Sequence, residues 1–340
     1  MLTDRERSVA DFALPSAANT LSDPAWMSRA KALRRLRISD QTFFQLTRFA
    51  AYFVLVLLGA IIVSLFLGAL PAFREFGFGF LISQRWNPVT EQFGALAPIY
   101  GTVVTSFIAI LIAVPLGLLI TLFLTEICPQ WLRRPISIAI ELLAGIPSII
   151  YGIWGLFVLA PILQRTLQPF LIDVFGPIPV LSTLFAGPPY GIGILTAGLI
   201  LAIMVLPFIT SISRDVFEAV PPILKEAAYG LGFTTWEVAR YVVLPYARVG
   251  VIGAIMLGLG RALGETMAVT FVIGNAHRVS SSLLAPGTTI SAAIASEFAE
   301  SDGLHQSGLI LLGLLLFVLT FFVLAGARLM LMRLEKKAGK

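Results

Sequence analysis

The sequence predicts an all-α membrane protein with six transmembrane helices. Three observations carry that prediction. First, 57% of the 340 residues are hydrophobic and only 13% are charged, where a soluble domain carries about 25% charged residues. A chain of this composition lacks the polar surface to enclose itself in water. Second, apolar runs of spanning length, about 20 residues, recur along it. Third, basic residues gather in alternate connections, as they do in multi-pass proteins.

The six runs cover residues 49–70, 100–124, 136–163, 192–212, 249–274 and 309–332. The third is long enough to be tilted or kinked, and Gly145 and Pro147 mark where. Pro115 and Pro207 are kink positions in the second and fourth. Residues 1–48 form a basic, poorly packed arm. It holds the first run too far from the N-terminus for a cleaved signal peptide. The membrane domain is expected over 49–335. The segments 71–99 and 164–191, rich in Gly, Pro and aromatic residues, suit short interfacial helices or a rim.

Basic residues set the orientation. One side holds Arg5, Arg7, Arg29, Lys31, Arg34, Arg35, Arg37 and Arg48, then Arg133 and Arg134. The same side holds Arg214, Lys225, Arg240 and Arg248, and finally Arg328, Arg333, Lys336, Lys337 and Lys340. The other side holds Arg74, Arg85, Arg165 and Arg278. Both ends are therefore expected in the cytoplasm. The net charge of +5 follows from this topology and does not imply nucleic-acid binding.

Several chemistries are excluded. A single cysteine, Cys128, rules out an internal disulfide framework and a Cys-rich metal site. His277 and His305 lack ligand-like spacing, so no metal site is expected. No G-x-x-x-x-G-K-[ST] occurs, so this chain hydrolyses no ATP by a P-loop. No catalytic constellation is present.

The connection between the fourth and fifth runs reads as a folded element. Pro221 and Pro222 suit a first helical turn. Ile223, Leu224, Ala227, Ala228 and Leu231 then make one apolar stripe. Gly232 suits a left-handed helix end. Thr234 and Glu237 make a T-x-x-E capping box, with Phe233 and Val238 at staple positions. Pro245 is expected to end the second helix. A hairpin lying on lipid is the plain alternative, but such helices are usually basic. Here Lys225, Glu226, Glu237 and Arg240 mix both signs, which better suits a groove on another protein.

The fifth run holds Arg261 and Glu265. Four residues apart, they share one face of a continuous helix. At about 1.5 Å per residue, Arg261 lies about 18 Å past Val249, near or beyond the middle of a core about 30 Å thick. A charge there costs about 2.5–3.5 kcal/mol. Either the two form a mutual salt bridge that lets the helix insert, or they line a translocation path. Gly258, Gly260 and Gly264 favour the path, because they let another helix approach, and Gly260 and Gly264 form a GxxxG. A guanidinium fork suits an oxyanion such as phosphate or sulfate. Glu265 would orient Arg261 or accept a proton. Glu141 is read as snorkelling to the interface or capping its helix. Asn275, Ser280, Ser281, Ser282, Thr288, Thr289 and Ser291 form a polar stretch that either meets a substrate-delivering protein or is ordinary loop.

Glu226-Ala227-Ala228, Gly232, Val242 and Leu244-Pro245, at their spacings, resemble the EAA loop of ABC importer permeases. Three further stretches resemble the PstC-like permeases of the phosphate-specific ABC importers: ELLAGIPSIIYG at 141–152, GRALGETMAVTFVIGN at 260–275 and APGTTISAAIASEFAE at 285–300. The resemblance implies a type I ABC importer permease fold (MetI-like), with a core over about 98–332 and the coupling loop over 213–247. It implies docking of the loop on an ATPase through Glu226, Ala227, Ala228, Gly232, Leu244 and Pro245. It implies a transport role for Arg261 and Glu265. The implied partners are a second, PstA-like permease subunit, a PstB-like ATPase dimer carrying ATP and Mg, and an extracytoplasmic PstS-like phosphate-binding protein. The implied location is a bacterial inner membrane. A permease for sulfate or molybdate would fit the Arg–Glu pair equally. An ion-coupled secondary transporter would have no need of the loop.

Overall fold

The computed structural model of the chain describes residues 24–337. Residues 1–23 of the expected arm lie outside the described residues. From Pro24 the chain is one helix, α1 (Pro24–Phe76), so the expected boundary at residue 48 is no break in the backbone. The chain divides into two units, Met1–Ser64 and Leu65–Lys340. The described residues of the first are the leading part of α1.

The second unit holds the rest. After α2 (Gly79–Ile82), α3 (Leu96–Leu122) runs on into a π-turn, Phe123–Ile127. An amphipathic helix α4 (Gln130–Ala144) follows, and then α5 (Ser148–Trp154), a second π-turn (Gly155–Leu159) and α6 (Ala160–Arg165). Two short helices, α7 (Leu167–Phe175) and α8 (Pro179–Leu184), fill the Gly/Pro-rich segment as expected. Next come α9 (Ile194–Glu218), α10 (Pro222–Gly230) and α11 (Thr235–Val238). A third π-turn (Ala239–Val243) leads into α12 (Leu244–Gly264). The chain ends with α13 (Met267–Ile273), α14 (Ile290–Glu297) and α15 (Gly303–Lys337).

Among the described residues six helices are long and apolar enough to cross a membrane: Asp40–Phe76, Leu96–Ile127, Ser148–Phe175, Ile194–Glu218, Thr235–Gly264 and Gly303–Leu329. The fourth is the axis of the domain, with 67% of its apolar window buried against 33% or less for the others. Glycines let it pack closely. A Cβ on Gly198 would meet Ile108 Cγ2 at 2.6 Å, and one on Gly258 would meet Ile209 Cγ1 at 2.8 Å. A Cβ on Gly260 would face Leu324 instead, so the glycines of α12 serve two neighbours rather than one GxxxG contact.

Three expectations need correction. The third run is not one helix: Pro147 cannot continue α4 and restricts Ile146, so the span begins at Ser148. The fifth run is broken too, because the helix stops at Gly264 and restarts at Met267. Pro245 ends nothing. The preceding π-turn replaces the i→i+4 ladder where the proline lacks its N–H and would crowd a carbonyl, and the helix passes through.

Candidate functional site: a coupling hairpin and a broken helix

The loop between spans four and five is a built hairpin. Pro222 opens α10, and Gly232 takes φ +85°, a left-handed turn that a β-branched residue resists. Thr234 and Glu237 form the capping box, with the Thr234 N–H donating to Glu237 Oε2 at 2.8 Å. Val238 is fully buried, while the Phe233 ring pairs with Tyr241 rather than closing the expected staple. Val238, Val243 and Ala228 pack with Phe217, Val220, Ala247 and Val251, fixing the hairpin to the ends of spans four and five.

Its other face is bare. Of the expected stripe only Ala228 is buried, while Ile223 is 71% exposed and Leu231 79%. Glu226, Ala227 and Gly232 are exposed with them, as is Pro245, and Leu244 is half-buried. Lys225 turns the opposite way and pairs with Glu126 at 2.6 Å.

Arg261 lies on α12 one turn before the break, its guanidinium 5.8 Å from the Phe208 ring of span four. Glu265 leaves the helix, with ψ 129°, and its Oε1 accepts from the Ala268 N–H at 3.3 Å. Glu265 is thus the residue that ends α12, four positions after Arg261. Among the described residues no carboxylate is paired with Arg261. Arg261 is exposed in the single chain and Glu265 half-buried.

The break sits at depth. Val272 O accepts from the Gly193 N–H at 2.9 Å, which sets the end of α13 level with the start of span four. The break is about 8 Å deeper by helical rise along Met267–Val272, within a core about 30 Å thick. α13 packs along α5, where a Cβ on Gly152 would meet Ala268 Cα at 3.0 Å.

Other expected positions have structural uses. Glu141, its side chain half-exposed, accepts from Arg214 at 2.8 Å. The polar stretch is largely consumed internally. Ser282 Oγ donates to Ala186 O, Thr289 Oγ1 accepts from the Ala292 N–H at 3.2 Å, and Thr288 is buried.

One cluster escaped sequence reasoning. The two histidines, 28 residues apart in the chain, converge on Glu297. His277 Nε2 lies 2.8 Å from Oε1 and His305 Nε2 3.0 Å from Oε2, with Trp86 Nε1 donating to Oε2 at 2.7 Å. Trp86 stacks on His277 at 4.6 Å, and Phe93 on His305 at 5.0 Å. Burial alone would raise the Glu297 carboxyl, but the donors from His277, Trp86 and His305 outweigh it and hold the group below its ordinary range. No local spacing signals this cluster.

Residues 113–336 match the family of "Binding-protein-dependent transport system inner membrane component". The chain is 66% identical over 313 residues to the "Phosphate transport system permease protein PstC" of Mesorhizobium japonicum, covering 92% of this chain and 96% of that protein. It is 58% identical to the protein of the same name in Pasteurella multocida, covering 89% and 95%. A "Probable phosphate transport system permease protein PstC" of Methanocaldococcus jannaschii is 37% identical, covering 84% and 92%. Six apolar helices, a capped hairpin with one bare face, and these relatives lead to one conclusion: the chain belongs to the binding-protein-dependent transport system inner membrane components, the membrane-spanning permeases of ABC importers.

Proposed function

We propose that this chain conducts phosphate as one permease subunit of an ATP-driven importer in a bacterial inner membrane. Both termini face the cytoplasm. A second, related permease completes the path, an ATPase pair carrying ATP and Mg binds the cytoplasmic hairpin, and a soluble phosphate-binding protein delivers substrate from outside. The observation that carries the docking role is the hairpin itself. It is capped and anchored within the chain, yet it leaves Ile223 and Leu231 bare beside Glu226. A rigid projection with an uncovered apolar face transmits a push, whereas a floppy loop absorbs it.

The chemistry of the path rests on Arg261. Among the described residues no carboxylate consumes its fork of donors, so it is available for bidentate hydrogen bonds to a phosphate oxygen pair. Glu265 holds the start of α13 and keeps the break open beside it. No residue of this chain is catalytic; ATP hydrolysis belongs to the partner.

Uptake of labelled phosphate in cells lacking their own importer tests this reading. Phosphate should saturate transport, and excess sulfate or molybdate should not compete. Competition by either would transfer the chain to another oxyanion. Glu226→Lys places a charge where a basic groove residue is expected, a mismatch that can cost several kcal/mol. It should abolish uptake and ATPase co-purification while the permease stays inserted and abundant. Normal uptake with normal co-purification in that variant would refute the docking role.

A further inference from the structure

The hairpin is joined to span two by one polar contact that its docking role does not use. Lys225 Nζ lies 2.6 Å from Glu126 Oε1, across 99 residues of sequence. Glu126 is only 6% exposed and Lys225 19%. Among the described residues this is the only ion pair between the hairpin and span two. The buried apolar anchors of the hairpin come from spans four and five, which it directly connects, with Leu118 and Leu122 of span two packed against the edge of the same cluster.

An enclosed pair of this kind is a poor device for stability. Desolvation offsets its attraction, and replacing such a pair by apolar residues of similar size is often neutral or better. What it supplies is a fixed length and direction. Apolar surfaces slide past one another, whereas a short charge-assisted bond resists displacement along its axis.

Glu126 also has a particular seat. It lies in the π-turn Phe123–Ile127, where the regular ladder of span two is interrupted. Such turns lend a helix local give. At the far end of the same span, Gly101 meets the backbone at Thr288, and Thr102 Oγ1 accepts from the Ile290 N–H at 3.0 Å. Span two thus runs from the hairpin to the external loop that follows the broken helix. These contacts form a continuous physical connection, which is what coupling between distant sites requires.

We propose that Lys225–Glu126 is a strut: it carries displacement of the docked hairpin into span two and so makes transport depend on ATP. Both are positioning residues. The inference rests on the proposed docking of an ATPase at the hairpin.

The complete reconstituted transporter, with its binding protein, tests it. Two quantities are read: ATPase co-purification, and phosphate moved per ATP hydrolysed. Lys225→Met and Glu126→Gln should keep the ATPase bound but lower phosphate per ATP about tenfold, a typical coupling magnitude. The reversed pair, Lys225→Glu with Glu126→Lys, should recover much of the loss. The decisive variant is Lys225→Met with Glu126→Leu, which leaves no unpaired buried charge. It should fold and assemble yet remain uncoupled, whatever the fate of the single variants. Wild-type phosphate per ATP in this apolar pair overturns the strut and leaves a merely structural salt bridge. Loss of the ATPase from it likewise overturns the strut, because the pair would then belong to docking. Failure of the ATPase to bind the unmodified permease would instead remove the docking reading itself.

Discussion

Gly101→Ala should disrupt the far end of span two, and its size follows from the geometry. The new Cβ would stand 1.9 Å from Thr288 O and 2.9 Å from Thr288 C. An ordinary contact requires the two backbones to part by about 1.5 Å. Neither side yields easily. The loop is pinned by Gly287 N–H to Ile273 O at 3.0 Å and by Ala276 N–H to Gly287 O at 2.9 Å. Thr288 and Thr289 are buried. Overpacking of this kind costs about 1–3 kcal/mol. The Ile290-to-Thr102 hydrogen bond, 3.0 Å in the native packing, goes with it and adds about 1 kcal/mol. Thermal unfolding of the detergent-purified permease, followed by tryptophan fluorescence, should show a midpoint about 5 °C or more below the native protein. Gly230→Ala is the control, because nothing lies within 4 Å of the added atom. An unchanged midpoint in Gly101→Ala, or an equal fall in Gly230→Ala, would refute the close approach.

Further outcomes follow from the same geometry. Gly232→Val forces a β-branched residue to φ +85°, a strain of roughly 1–2 kcal/mol; it should weaken ATPase co-purification, and an effect no larger than that of Gly230→Ala would misplace the turn. Arg261→Gln should abolish phosphate uptake without impairing assembly, and adding Glu265→Gln should not restore it, since the two are not paired; recovery in the double variant would contradict the path. Glu297 contributes stability that is present above its unfolded pKa, about 4.3. Because its folded pKa is lower, that stability is lost as pH falls through the ordinary value toward the folded one. Melting temperature should therefore drop on acidification below about pH 5, and Glu297→Gln should flatten this dependence; an identical pH profile in the variant would refute the cluster's role.

Much of the architecture is legible in the chain, for identifiable reasons. Spanning length is a property of local composition, so each run overlaps a spanning helix, although the bounds of the third and fifth are shifted by ten residues or more. Caps are equally local: Pro222, Gly232 and the Thr234–Glu237 box are three short-range signals, and all three stand. The breaks were harder. Hydropathy does not register a change of direction: Gly145 and Pro147 marked a bend in the third run, but Gly264–Thr266 lay inside an apparently continuous one. Pro245 misled because its usual effect presumes a regular helix, and the π-turn before it removes the presumption. The Glu297 cluster and the Lys225–Glu126 bond join residues brought together only by tertiary packing, and no periodicity reports such meetings.

The break after Gly264 bears on where this protein can keep its seal. A helix end leaves carbonyls, and a helix start leaves N–H groups, without helical partners; Glu265 satisfies one of these donors. Hydrocarbon offers nothing to the others, so irregular backbone at such depth persists only under protein or beside water. The level of Arg261 is therefore a place that is hydrated or covered, never bare to lipid tails. Dry, close packing lies elsewhere, as where a Cβ added to Gly152 would stand 3.0 Å from Ala268 Cα. Straightening the helix through 264–266 would dry the interior and leave an anion nothing to replace its hydration shell.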